Sequence, residues 1–219
     1  PHEDEWERMS ELGECVGTGR QALGVLRRVL GSEILENIRT RRAEDLAVFL
    51  ALEKFGTRPR FGQLATGLQR DVRSLFGSYR AACKEGDQLL FSAGNGLAIG
   101  AGCRDSLVGK LTPSALYVHS SALKDLEGIL RLYEGCARVL VGDVEEANVI
   151  KLHRGIPAIS YLAYPDFDSV AHPRLASSVH VNLRALIAKF TDYRGRENPP
   201  VLHRKETFVS VDYPGYDKF

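Results

Sequence analysis

Val149-Ile-Lys-Leu-His153 alternates apolar and polar side chains, and Ala158-Ile-Ser-Tyr-Leu-Ala-Tyr164 alternates again after the turn residues Arg154-Gly155-Ile156-Pro157. Successive side chains of a strand point to opposite faces, so two alternating runs joined by a short turn predict an antiparallel hairpin. Ser178-Val-His-Val-Asn-Leu183, returning through Arg184-Ala185 into Leu186-Ile-Ala-Lys-Phe190, predicts a second hairpin, and Val201–Val209 a further strand.

Upstream the period changes. Leu23, Leu26, Val29 and Leu30 recur at helical spacing before Gly31, a helix stop; Ser32 can cap a second helix carrying Ile34, Leu35 and Ile38 and continuing through Leu46, Phe49, Leu50 and Phe55 to Gly56. Another helix is expected from about Phe61 or Gln63 to Lys84, with Leu68, Val72, Leu75, Phe76 and Tyr79 inward and Arg70, Arg73 and Arg80 on the other face. Asp87–Phe91 reads as a short helix or strand, and Ser120 or Ser121 can cap a helix bearing Leu123, Leu126, Ile129, Leu130 and Tyr133. Helices first and sheet second predict an α+β protein: a helical, basic region over 1–92, a Gly-rich connection over 93–113, and an α+β region with antiparallel hairpins over 114–219.

With 219 residues, 44% of them apolar, the chain can bury a substantial core. Its net charge of +1 hides an uneven distribution. Arg20, Arg27, Arg28, Arg39, Arg41 and Arg42 face only Glu33 and Glu36, and Arg58, Arg60, Arg70, Arg73 and Arg80 follow, while acidic residues gather before Glu14 and between Asp125 and Glu146. A basic first half fits a polyanionic partner, or equally a set of solvated helix faces. Cys15, Cys83, Cys103 and Cys136 are too scattered for a zinc motif or a secreted disulfide framework, so reduced thiols in the cytoplasm are expected. No apolar run approaches the roughly 18 residues of a membrane span.

Several polar groups have the makings of a site. Gly94–Gly102 after Leu89-Leu90-Phe91 superficially matches a strand-to-glycine loop for a cofactor, but lacks βαβ surroundings and reads as a flexible loop. Tyr164-Pro-Asp166-Phe-Asp168 with His172 offers carboxylates for a hard metal ion, which with Lys151 would suit phosphodiester cleavage; the same residues also make an ordinary Pro-Asp turn. His203-Arg204-Lys205-Glu206 can bind phosphate, although in a strand His203 and Lys205 would share one face and Arg204 and Glu206 the other. Asn198-Pro-Pro echoes the signature of enzymes that methylate base amines, without the aromatic that stacks on the base, since Val201 stands there. Aromatic and basic residues also interleave from Lys151 to Tyr216, a composition suited to single strands and to core packing alike.

Ordered blocks of sequence carry a resemblance: Arg41-Arg-Ala-Glu-Asp-Leu-Ala-Val-Phe-Leu50, Gly67-Leu-Gln-Arg-Asp71, Phe76-Gly-Ser-Tyr79, Leu116-Tyr-Val-His119, Arg131-Leu-Tyr-Glu-Gly-Cys-Ala-Arg138, Asn148-Val-Ile-Lys-Leu-His-Arg154, Tyr164-Pro-Asp-Phe-Asp168 and Asn198-Pro-Pro-Val-Leu-His-Arg-Lys-Glu206. From roughly residue 20 onward the chain resembles the C-terminal half of the methyltransferase family associated with DNA phosphorothioation. Ser120 departs from it, standing where an Arg would follow Tyr-Val-His. The resemblance implies a bacterial DNA-modification context, in which sulfur replaces a non-bridging phosphate oxygen. It places S-adenosylmethionine in a domain N-terminal to this region, so no cofactor is expected within this chain.

The expectation is a DNA- or partner-recognition region of a cytoplasmic protein, binding DNA (phosphorothioated DNA included) and other modification proteins. Arg41, Arg42, Arg70, Arg73, Lys151, Arg154, His203, Arg204 and Lys205 are the candidate nucleic-acid contacts. The alternatives are a metal-dependent nuclease or phosphoesterase, with Asp166, Asp168, His172 and Glu206 as candidate catalytic groups, and a purely structural interaction module.

Overall fold

A computed structural model describes residues 15, 17–210, 212–214 and 216, with residue 23 described by its backbone alone. The acidic stretch before Glu14 lies outside the described residues. The fold is α+β, with helices concentrated in the first half and one six-stranded antiparallel sheet in the second.

Helix α1 spans Gly19–Leu52, opened by a capping box between Thr18 and Gln21. Gly31 interrupts it with φ 79° and ψ 163°, a conformation that only glycine adopts without strain, so the stop read from the sequence is a sharp kink. Burial is carried by the later part, at Leu46, Ala47, Leu50 and Ala51. Val29, Leu30, Ile34 and Ile38, expected in the core, are exposed instead, because α1 meets α3 and α5 only along its C-terminal turns.

The single helix expected from Phe61 to Lys84 is broken. A 3-10 turn at Phe61–Gln63 leads to α2 (Thr66–Asp71), a π-type turn over Val72–Phe76, and Gly77 at φ 73°. Ser78 then caps α3 (Tyr79–Ala93), accepting from the Ala81 N–H at 3.2 Å, and α3 absorbs Asp87–Phe91. The Gly-rich segment is not a loop either: Asn95 caps α4 (Gly96–Asp105). Gly102 serves packing, since a Cβ there would sit 3.3 Å from Ile129 and Leu130 of α5. Ser120–Asp125 forms a 3-10 turn, and α5 starts only at Gly128, running to Val141.

The strands are β1 (Lys110–Leu111), β2 (Ala115–His119), β3 (Val149–His153), β4 (Ala158–Ala163), β5 (Ser177–Asn182) and β6 (Ile187–Asp192), in sequential order across the sheet. Both predicted hairpins are present as β3–β4 and β5–β6. Strand β2 had drawn no expectation, and the strand expected over Val201–Val209 does not form. There Val201 makes one bridge to Arg174, Arg204 is left-handed at φ 59°, and Lys205–Phe208 is a 3-10 turn.

One face of the sheet is apolar. In register across it lie Leu111, Leu116, Leu152, Ile159, Val181 and Ala188. Most of that row, with Val118, Ile150 and Tyr161, packs beneath α5 and α4 through Leu130, Tyr133, Ala137, Ile99 and Cys103. Burying such a row supplies most of the fold's stabilisation, at about 25 cal/mol per Å² of apolar surface removed from water. The opposite face is covered at one end by the C-terminal segment, where Tyr164, Phe167, Leu175, Leu202, Phe208 and Val209 close over Val149 and Leu162.

Candidate nucleic-acid interface

Cross-strand partners share a face, so the register fixes what the rest of that second face carries. Its central row runs Lys110, Tyr117, Lys151, Ser160, His180, Lys189, one residue from each strand. His153 and Asn182 flank the row on one side, and His119, Ser178 and Thr191 lie on the other. The strand residues of this face therefore include Lys110, Lys151, Lys189, His119, His153 and His180, and no carboxylate. A row of cations with no carboxylate among its strand neighbours attracts polyanions.

The groups differ in environment. Lys189 is exposed, whereas Lys151, His153 and His180 are half-buried and Ser160 is buried. Ser160 Oγ lies 3.0 Å from His153 Nε2 and 2.9 Å from His180 Nδ1, and the two rings stand perpendicular with centroids 5.3 Å apart. Burial, then the Lys151 ammonium, then His180 push the His153 imidazole down to about 4, so it is neutral under ordinary conditions. Lys151 Nζ sits 5.3 Å above the Tyr117 ring. Lys110 reaches over Phe208 and donates to the His203 carbonyl at 3.1 Å, linking the row to the C-terminal segment. His119 is capped by Phe167 and Tyr213, with its basicity lowered by burial against a smaller opposing effect of Asp168.

Of the residues chosen from sequence, Lys151 alone lies in this row. Arg154 turns back, its Nη1 donating to the Thr112 carbonyl at 3.2 Å. Arg41 pairs with Asp125 at 3.5 Å and Arg42 with Asp71 at 2.7 Å, so these charges are compensated locally. Arg70 is half-buried on α2, and Arg73 lies 5.0 Å over the Phe61 ring. Lys205 is buried: its Nζ donates to the Phe167 carbonyl and sits 5.6 Å over the Phe167 ring. Arg204 and Glu206, expected to share a strand face away from His203 and Lys205, instead bond to each other at 3.2 Å across the 3-10 turn.

The acidic candidates sit on a surface turn. The Asp166 carbonyl accepts from the Ser169 and Val170 N–H groups, and the Asp168 carboxylate accepts from the Tyr213 hydroxyl at 2.7 Å. The His172 ring lies 4.8 Å from that of His203. Among the described residues no three His, Cys, Asp or Glu side chains are grouped to hold a metal ion. The Pro200 carbonyl accepts the Leu175 N–H at 2.9 Å, so the Asn-Pro-Pro segment zips to 173–175 rather than offering that carbonyl to a base amine. Among the described residues no helix is long and apolar enough to cross a membrane.

Sequence reasoning passed over His153, Ser160 and His180. The available signal was positional: each occupies a polar phase of an alternating strand, and only the register brings them together. The chain matches no family model, no curated protein and no solved structure.

Proposed function

We propose that this chain is a DNA-recognition region acting in the cytoplasm within bacterial phosphorothioate-modification machinery, and that it engages the sugar-phosphate backbone through the open face of its sheet. The carrying observation is the row Lys110–Tyr117–Lys151–Ser160–His180–Lys189, set in a face whose strand residues include no carboxylate. Phosphate contacts of this kind position a protein on DNA without reading sequence. The ordered blocks that resemble phosphorothioation-associated proteins supply the biological context, and S-adenosylmethionine chemistry would belong to another domain. Arg41 and Arg42 already have carboxylate partners, which makes them secondary contacts at most.

Fluorescence anisotropy with ordinary and phosphorothioated DNA, duplex and single-stranded, tests the reading. The double variant Lys151→Glu, Lys189→Glu should weaken binding at least about tenfold at low salt, since two phosphate contacts become repulsions. The double variant Arg41→Ala, Arg42→Ala should weaken it far less. Binding untouched by the lysine reversals, or no binding by the unaltered chain at low salt, overturns the proposal.

A further inference from the structure

At the end of the sheet away from the C-terminal segment, the two hairpin turns border a cavity of about 510 Å³. Phe55 beyond α1, Leu90 of α3, Tyr133 and Cys136 of α5, and Leu183 and Leu186 of the β5–β6 turn line it. A space of that size falls within the roughly 300–1,000 Å³ typical of small-molecule sites. Its walls offer little to a polar ligand. The Tyr133 hydroxyl is taken by the Ala158 N–H at 2.8 Å, and burial pushes the Cys136 thiol up to about 11, so it stays neutral. No carboxylate lines the cavity, and its one charged group is Arg184. Arg184 is exposed, and its guanidinium pairs with no carboxylate among the described residues.

The backbone at Leu186 bears on the same cavity. Asn182 holds the turn, its Oδ1 accepting the N–H groups of Arg184 and Ala185 at 3.0 and 2.9 Å. The turn closes through Leu186 at φ 54°, a left-handed conformation that glycine or asparagine adopts at lower cost than leucine. Leu186 is 67% exposed, so burial does not compensate that strain, yet its side chain lines the cavity. Phe55 is likewise 52% exposed there. Exposed apolar side chains around a concave space are what the apolar body of a ligand covers.

We propose that this cavity binds a small apolar carboxylate, of the size of a medium-chain fatty acid, with its chain against Phe55, Leu90 and Leu186 and its carboxylate at the Arg184 guanidinium. Charge complementarity selects the head group, because an ammonium would be repelled and an uncharged head would leave the guanidinium to water. The size of the cavity selects a single small molecule over a strand or helix of a partner. Leu183 packs against the core beneath α5, on the opposite side of the sheet from the lysine row, so the site stands or falls apart from DNA binding.

Isothermal titration of decanoate, below its micelle concentration, into the full chain tests the site. One molecule per chain is expected. Arg184→Glu should weaken decanoate at least about fivefold and leave decanol, the same chain with an uncharged head, unaffected. Leu186→Gly relieves the left-handed strain, so it should melt no lower than the unaltered chain and yet bind decanoate more weakly. Circular dichroism confirms that both variants are folded. No binding of decanoate, several molecules per chain, or equal affinity in either folded variant overturns the proposal. Sedimentation should show no association that Leu186→Gly disperses. A dimer dispersed by that change would make the cavity an interface between copies and overturn the ligand site.

Discussion

Tyr133 ties α5 to the β3–β4 hairpin that carries Lys151 and Ser160. Its hydroxyl accepts the Ala158 N–H at 2.8 Å and lies 3.0 to 3.2 Å from the carbonyls of Ala158, Ile156 and His153. Burial pushes this phenol up to about 12. Replacing it by Phe strands a buried N–H, so Tyr133→Phe should lose about 1–3 kcal/mol, read by urea denaturation. His153 makes a prediction in pH. Its folded value of about 4 lies below the ordinary 6.5, so between those values the unfolded chain binds a proton that the native chain does not. Stability should therefore fall as pH drops through that window, by at most about 1.4 kcal/mol per pH unit and less for a half-buried ring. The difference in denaturation midpoint between the unaltered chain and His153→Gln, followed from neutral pH into the acid range, isolates that contribution. Equal slopes in the two proteins would remove it.

At the scale of elements, periodicity was informative where one face is buried and the other polar. The alternations in β3 and β5 mark such strands, and the helical spacing from Leu46 to Leu50 marks the buried end of α1. It misled where burial was decided elsewhere. The spacing that includes Val29, Ile34 and Ile38 is equally regular, yet those side chains are exposed because no described element lies over that part of α1. Glycines misled in the opposite direction: four between Gly94 and Gly102 resemble a loop, but three of them lie in a helix, and Gly102 is where that helix presses on another. Gly102→Val tests this contact. Its added methyl groups would collide with Ile129 and Leu130, and the fold should lose about 1–3 kcal/mol, while the DNA binding proposed for the sheet face should be unchanged.

Across the whole molecule, a net charge of +1 conceals a division of labour. Arginines of the helical half and of α5 are drawn into internal pairs: Arg58, in the loop after α1, bonds the Leu50 carbonyl of α1 and Asp87 of α3, the latter at 2.7 Å, and Arg131 of α5 pairs with Asp45 of α1. Lysines on the sheet face are left without carboxylate neighbours in the strands. If Lys110, Lys151 and Lys189 make the main phosphate contacts, the logarithm of the binding constant should fall with the logarithm of salt at a slope of about −3. Charge reversal at Lys151 and Lys189 should reduce that slope by about two, measured by anisotropy across a salt series. A slope near zero would show that the lysines do not meet phosphates.

The sequence by itself determined the α+β class, the two hairpins and a break in the helix at Gly31, because a period of two, a period of 3.6 and a positive φ are each local properties of the backbone. It also placed Lys151, His153, Ser160 and His180 on polar phases of their strands. Only the tertiary structure decided that Ser160 stands between two histidines with a lysine to either side. Register is set by burial of the opposite, apolar row, and a one-residue slip would have sent all of these groups into the core. The same packing withdrew Lys205 from solvent, since a segment folded over a sheet satisfies its carbonyls with whatever donors lie within reach.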